Sequence, residues 1–595
     1  MVSAAARSSV FAVTGGVDGG EPAPLLLFDC LAPFFADHLN GIDAGTTINW
    51  SKIPFTRLER DGGLDGPALD ALLQGCDRYL ATMAGLGYTA VAVDDLAHLV
   101  AHDFYPAPLV AKLGRYRRLY EGLFAAAKAH GLGVFVTTDY LFFNPAIEAH
   151  LRSGAVTAAD LFDGTVRAAF AAHPAIDGVI LRIGESDGVD VVGDFKSRLA
   201  IRRPGEARAL LRQVLPTFGE HAKTLIFRTW TLGAYPIGDL IWNRRTYNAV
   251  FGRVAHPRLI VSMKYGDADF FRYLETNPLL FHGPHRKLVE LQCRREYEGM
   301  GEYPSFVGWL HAAHLATLRD GGSKVAGMFA LQGGGWAPFA RLAFAGDGSL
   351  WNELNTVVTV KLFRGAGTVD EIVTRFCADR GIGDPPTLLR LLALSDEAIE
   401  QGLYIREFAA CPAYFRRIRV PPLIWVFWHN VTTDGLVAEL HRVQVRDKVG
   451  AVGEGHRAVE TVREMLELAR CLGVAEADLR FQLETWTIFA HLREVLLGVA
   501  TPETHRRLAA LRAGYRERYP AAYRVDDAPS PAGTARATAF AIGQLLRGRR
   551  EYRPRDRLLL NGRAGVLKPL VAGRGADGLP RFVDTQGMST DVLLR

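Results

Sequence analysis

Eight apolar, β-rich segments recur between residues 46 and 332, and their spacing constrains the fold more than any other feature of the chain. They read TTINW (46–50), TAVAVDD (89–95), GVFVTTD (133–139), DGVILRIGE (177–185), TLIFRTW (224–230), LIVSMKYG (259–266), LVELQCR (288–294) and VAGMFALQ (325–332). Nearly unbroken hydrophobic runs are what a sheet buried on both faces requires. Separations of roughly 30 to 45 residues leave room for a helix or an elaborated loop after each, as successive βα units need. Two of the connecting stretches stop at glycine before the next strand, Gly85 and Gly87 in MAGLGYTAVAV and Gly131 and Gly133 in AAAKAHGLGVFV. Glycine there accommodates the left-handed residue that ends a helix. The pattern predicts an α/β fold, a (β/α)8 TIM barrel over 41–360, with TTINW as its first strand and 1–40 as a leader.

After Trp351 the pattern changes to long amphipathic stretches, TVDEIVTRFCADRG (368–381), GEGHRAVETVREMLELARCLG (453–473) and DLRFQLETWTIFAHLREVLLGV (478–499). Apolar residues recur there at three and four positions, so 361–525 reads as a C-terminal helical domain. DDAPSPAGTARA (526–537) has the composition of a linker, and 526–595 reads as that linker and a small appendage.

With 595 residues, 49% of them hydrophobic and 22% charged, the chain can bury a large core. Its net charge of +5 is small, and the densest basic run, RGRREYRPRDR (547–557), does not amount to a nucleic-acid footprint. The six cysteines show no metal-ligand spacing and read as structural buried thiols. No apolar run has the length of a secretory core or a membrane span; the strongest, PPLIWVFW (421–428), is far too short. A cytoplasmic protein without membrane or nucleic-acid partners is the expectation, with export by an atypical leader as the alternative.

Three strand-like segments end in carboxylates: LRIGESDG (181–188), MKYGDADF (263–270) and ELQCRREYEG (290–299). In a parallel barrel the C-terminal ends of successive strands converge on one pocket, so Glu185, Asp269 and Glu296 can share a substrate. Convergent carboxylates are the apparatus of glycosidic bond hydrolysis. Glu185, partly desolvated at a strand end, suits a general acid, whereas a helix cap or loop salt bridge is the plainer reading. Asp269 and Glu296 follow neighbouring strands and can grip one water between them. Asp187, Asp267, Glu290 and Glu298 are nearby acids that compete for these roles. Arg182, Arg228 and Lys264 lie at the same strand ends, either to neutralise the carboxylates or to hold an anionic group of the substrate. Trp50, Trp230, Tyr265, Phe270, Tyr297 and Trp336 crowd the expected mouth, and GGGW (333–336) is a weak phosphate-loop signal.

At these residues the chain resembles glycoside hydrolase family 67, the α-glucuronidases that remove (4-O-methyl)glucuronic acid from xylan fragments. KYGDADF resembles that family's lysine-asparagine-glycine-x-x-aspartate-phenylalanine motif, and ELQCRREYEG its glutamate-x-glutamine…glutamate-tyrosine-x-glycine motif. FRTW resembles its tryptophan-arginine-x-phenylalanine strand, and WNELN (351–355) the start of its helical domain. The resemblance implies Glu185 as general acid, and Asp269 and Glu296 as the pair that positions and deprotonates water with inversion. It implies Arg182, Arg228 and Lys264 at the uronate-binding positions, with Arg182 in place of a lysine. Trp230, Tyr265 and Trp50 complete the expected substrate-binding set. GESDG departs from the family's serine-glutamate-glycine-glutamine-proline run, and the family's N-terminal β-sandwich has no counterpart before the barrel.

The expected activity is therefore an inverting exo-acting glycoside hydrolase that removes a terminal α-linked uronic acid from oligosaccharides without metal or organic cofactor. The alternatives are a hydrolase of neutral or amino sugars on the same barrel, and a non-catalytic carbohydrate-binding barrel. The aromatic-rich WVFWHN and LETWTIF pieces imply a homodimer interface by the same resemblance, with internal packing as the plainer reading.

Overall fold

The computed structural model describes residues 24–36, 58–60, 62–183, 194–231, 233, 235–331, 350–410, 414–415, 417–419, 422–424, 430–431, 435–520, 523 and 525–527. Eight parallel strands close into a barrel: β1 Leu25–Asp29, β2 Ala90–Asp94, β3 Gly133–Asp139, β4 Ile176–Arg182, β5 Thr224–Arg228, β6 Leu259–Lys264, β7 Arg286–Gln292 and β8 Val325–Leu331. Each pairs with its neighbours in sequence, and β8 returns to β1 with Leu25 opposite Gly327. Strands two to eight lie where the apolar segments predict them.

The first strand does not. It is LLLFD, within the segment read as a leader, and TTINW lies outside the described residues. A five-residue strand covered on both faces shows no alternation, and this one follows directly on the turn-forming GGEPAP, so period-based reading passes over it.

The connecting helices pack around the strands: α1 Gly66–Leu86, α2 Ala107–Ala129, α3 Ala158–Ala172, α4 Pro204–Glu220, α5 Arg244–Phe251, α6 Gly308–Asp320 and α7 Leu350–Phe363. After β6 a short 3-10 turn, Pro278–Phe281, stands in place of a helix. Local chemistry sets several boundaries. Asp65 caps α1 by accepting from the Ala68 amide, and Gly87 ends it in the left-handed conformation at φ 105°. Thr157 and Asp160 form a reciprocal capping box on α3.

Inside the barrel, Leu27, Ala90, Ala92, Phe135, Ile180, Ile226, Ile260, Leu288 and Phe329 form an apolar layer to which every strand contributes. One step lower, a Cβ on Gly178 would lie 2.3 Å from the Thr224 carbonyl oxygen and 2.7 Å from the Phe135 ring. Only glycine lets β4 approach β5 beside that ring.

The C-terminal half is helical: α8 Val369–Arg380, α9 Pro385–Leu403, α10 Gly435–Gln444, α11 Lys448–Leu472, α12 Ala477–Leu497 and α13 Pro502–Arg518. Helix α9 packs on α11, α11 on α12 and α12 on α13. Trp486, Ile488 and Phe489 of the LETWTIF piece are core residues of this half, whereas residues 425–429 of WVFWHN lie outside the described residues, as does the appendage after Asp527. No described helix is long and apolar enough to cross a membrane. Cys30, Cys76, Cys293 and Cys377 are buried free thiols, but Cys471 is exposed, because position 471 falls on the solvent face near the end of α11.

Candidate active site

Side chains alternate along a strand, so residues two and four beyond the apolar layer point into the barrel at its C-terminal end. The sequence places Asp29, Asp94, Thr137, Asp139, Arg182, Arg228, Ser262, Lys264, Glu290 and Gln292 at those positions, and all ten are buried. Above a floor of hydrocarbon the barrel therefore carries a layer of charge.

Asp269, in the loop after β6, is held by four donors. Its Oδ1 accepts from Lys264 Nζ at 2.6 Å and from the Phe270 amide at 3.0 Å, and its Oδ2 accepts from Trp230 Nε1 at 2.9 Å and Tyr297 OH at 3.1 Å. These donors come from the ends of β5 and β6 and from the loop after β7, so the carboxylate ties three successive βα loops together. The Lys264 ammonium also lies 4.6 Å from the ring centroids of both Trp230 and Phe270, a position the electron-rich ring faces favour. Tyr297 follows Glu296, so the hydroxyl that reaches Asp269 brings the half-buried Glu296 to the same loop cluster. The Glu296 backbone amide donates to Gln292 Oε1 at 3.3 Å. Asn355 of α7 anchors the rest of this loop, donating to the Cys293 and Ser305 carbonyls and accepting from the Val307 amide.

The basic residues are paired. Arg228 grips Glu290 through two bonds, Nε to Oε1 at 3.0 Å and Nη2 to Oε2 at 2.7 Å, and Ser262 Oγ adds a third at 2.8 Å. Burial alone pushes the Glu290 carboxyl up, but the Arg228 charge and hydrogen bonds, with Lys264 and Ser262, leave it below its ordinary value. Across the barrel, Arg182 Nε lies 2.7 Å from Asp139 Oδ1, and its Nη2 lies 3.8 Å from Asp94 Oδ2. Ser197 Oγ donates to the other Asp139 oxygen.

Of the competing acids, Glu298 is buried between Arg272 and Arg295, and Asp267 pairs with Arg419, so both serve structure. Glu290 is the Arg228 partner. Tyr265 departs from expectation: Lys264 points inward, so alternation turns Tyr265 outward. There it is fully buried, donates to the Phe271 carbonyl at 2.9 Å and packs 4.3 Å from the His314 ring. Tyr265 is thus a packing residue rather than part of the mouth. Glu185, Asp187, Trp50, Trp336 and the GGGW segment lie outside the described residues.

Sequence reasoning passed over Asp29, Asp94 and Asp139, the acids that close β1, β2 and β3. The signal is present in VAVDD and FVTTD, strand-like runs that end in aspartate as plainly as LRIGESDG, MKYGDADF and ELQCRREYEG end in carboxylates.

No family model matches the chain, and no curated protein matches it. Solved structures similar to it include a GH138 enzyme targeting pectin rhamnogalacturonan II, at 11% identity and a TM-score of 0.48, covering 82% of this chain and 60% of that one. Another is a family GH115 4-O-methyl-α-glucuronidase with specificity for decorated arabinogalactans, at 11% identity and a TM-score of 0.40, covering 89% of this chain and 63% of that one. A third is a D-allulose 3-epimerase from Methylomonas sp., at 12% identity and a TM-score of 0.31, covering 57% of this chain and 97% of that one. The chain spans about three fifths of the length of the first two. At these identities the likeness concerns the fold alone.

Proposed function

We propose that the chain is an inverting, exo-acting glycoside hydrolase whose substrate ends in an α-linked uronic acid. The observation that carries this reading is the cradle of Asp269. A carboxylate locked by four donors at the mouth of a barrel, one of them the neighbour of Glu296, suits a fixed partner for an attacking water. Both oxygens of Asp269 already accept two bonds each, so its part is to orient. Glu296 is the base: as water attacks the anomeric carbon, its carboxylate takes the proton. Glu185, beyond the end of β4, protonates the leaving oxygen as the C–O bond breaks. Trp230, half-buried beside Asp269, offers a ring face to the sugar. Arg182, Arg228 and Lys264 are the cations available to a uronate.

A second reading has an observation of its own. Each of those three cations is paired with a carboxylate, Arg182 with Asp139, Arg228 with Glu290 and Lys264 with Asp269, which favours a neutral terminal sugar. Proton NMR of the anomeric signals during digestion of matched uronide-capped and neutral-capped oligosaccharides tests both. Release of the β-anomer from an α-linked uronide, absent with Glu185→Ala, is the expected result. Faster cleavage of the neutral cap rejects uronate recognition, and no cleavage of either by folded protein rejects the hydrolase.

A further inference from the structure

The helical half holds a cluster that the proposed chemistry leaves unused. His491 and Glu494 lie three residues apart on one face of α12, and His456 reaches them from α11. His456 Nε2 and His491 Nδ1 each lie 3.0 Å from the same oxygen, Glu494 Oε1. One ligand atom from each residue falls within 4.8 Å of the other two. The second carboxylate oxygen is fixed from α13, where Thr504 Oγ1 donates to Glu494 Oε2 at 2.6 Å.

We propose that His456, His491 and Glu494 bind a divalent transition-metal ion of the zinc class, joining α11 to α12. Two imidazoles and one carboxylate are a recurrent protein donor set for such ions, leaving further coordination positions to water. Two of the three donor separations are close to the required dimensions, and the third lies within 4.8 Å. Zinc bonds of about 2.0 to 2.1 Å in tetrahedral geometry set neighbouring donor atoms roughly 3.3 Å apart. The two nitrogen-to-oxygen separations need to widen by only a few tenths of an ångström to admit an ion. Thr504 supplies the outer hydrogen bond that fixes a metal-bound carboxylate, leaving Oε1 directed at both rings. Each neutral imidazole binds through the nitrogen now facing Glu494 while its proton moves to the other ring nitrogen. His456 is exposed and opens a path from solvent.

Neighbouring contacts give the site a structural consequence. Arg493, next to Glu494, donates to the Gln401, Gly402 and Tyr404 carbonyls at 2.6, 2.8 and 3.1 Å. An ion at Glu494 would therefore brace the stretch of α12 that holds the end of α9.

The test uses the full chain without a histidine tag, stripped with a chelator and titrated with zinc chloride by calorimetry. Cobalt(II) serves as a spectroscopic reporter of coordination. One equivalent should bind with a Kd of about 1 µM or tighter, and zinc should raise the melting temperature. Losing a ligand should cost more than the 10- to 100-fold typical of outer-shell changes. His456→Ala, which removes an exposed ring, should therefore weaken binding by on the order of 100-fold or more and abolish the melting shift, while circular dichroism stays unchanged. Glu494→Gln should weaken it as well. Absence of zinc binding to the folded wild-type chain, or equal affinity in His456→Ala, overturns the proposal.

Discussion

Replacing Glu298 by glutamine should weaken the protein by an amount that depends on pH in a calculable way. Glu298 is 1% exposed and lies between two guanidinium groups: its Oε1 accepts from Arg272 Nε at 3.1 Å, Arg295 Nη2 at 3.0 Å and Tyr404 OH at 3.2 Å. Its Oε2 accepts from Ser305 Oγ at 3.3 Å. Burial pushes the carboxyl up, but the charges of Arg272 and Arg295 and their hydrogen bonds outweigh it and bring the pKa from 4.5 down to about 2. The folded value lies below the unfolded one, so the stabilisation is complete above about pH 4.5 and is lost as pH falls through about 2. A difference of about 2.5 units at 1.36 kcal/mol each amounts to roughly 3 kcal/mol at pH 7.

The assay is urea unfolding of wild type and Glu298→Gln at a series of pH values from 7 to about 2. Other carboxylates titrate in both proteins and largely cancel in the difference. The gap should be about 3 kcal/mol at neutral pH and should close as the pH approaches 2. A gap that stays constant with pH, or one below about 1 kcal/mol at pH 7, refutes the reasoning. The same variant should lose turnover. Arg272 follows Asp269 by three residues and Glu298 follows Glu296 by two, so this ion network fixes the two loops against each other and against Tyr404 at the end of α9.

Four further outcomes are expected. Asp269→Asn keeps the shape but cannot accept equally from Lys264, Trp230 and Tyr297, so kcat should fall by about 100-fold or more in a glycosidase assay while circular dichroism is unchanged. Glu185→Ala and Glu296→Ala should each fold and lose turnover by orders of magnitude; near-normal activity in either removes that residue from the mechanism. Arg228→Met strands the Glu290 carboxylate inside the barrel and should cost about 3 to 5 kcal/mol, most of it recovered in Arg228→Met/Glu290→Leu, as a double-mutant cycle of denaturation midpoints would measure. Gly178→Ala should cost about 1 to 3 kcal/mol by the same assay, because its methyl group meets the Thr224 carbonyl and the Phe135 ring.

Most of the barrel was legible because a buried parallel strand leaves a strong trace: a run such as AVAV (90–93) is apolar without alternation. The first strand escaped for the converse reason, since LLLFD is short and adjoins a turn-rich leader. At the site, strand ends were readable and side-chain direction only partly so. Lys264 and Tyr265 are neighbours, yet one faces the mouth and the other the helices, a difference that depends on register. Asp269 was readable as an acid after a strand, but two of its four donors, Trp230 and Tyr297, come from segments distant in sequence, and no local pattern encodes that meeting. Asp94 and Asp139 carry the same geometric meaning as the acids of the charge-dense segments, because an aspartate that ends an apolar barrel strand points to the same mouth.

Those missed aspartates bear on which sugar the mouth accepts. Among the described residues, Asp94 and Asp139 lie against Arg182, Glu290 against Arg228 and Asp269 against Lys264. Each of the three cations is therefore engaged by a carboxylate before any substrate enters. A uronate could not simply pair with one of them; the incoming carboxylate would have to share a cation with an acid already bound there, and like charges at close range cost energy. A shared guanidinium is chemically workable, since a bidentate carboxylate engages two of its five N–H groups. Arg182 lies 2.7 Å from Asp139 and 3.8 Å from Asp94, so its guanidinium is already shared between two carboxylates. Asp94→Asn separates the two substrate readings. If a uronate docks on Arg182, removing the competing charge should lower KM for the uronide and leave kcat nearly unchanged. If the sugar is neutral and Asp94 accepts from its hydroxyl groups, KM for the neutral glycoside should rise instead.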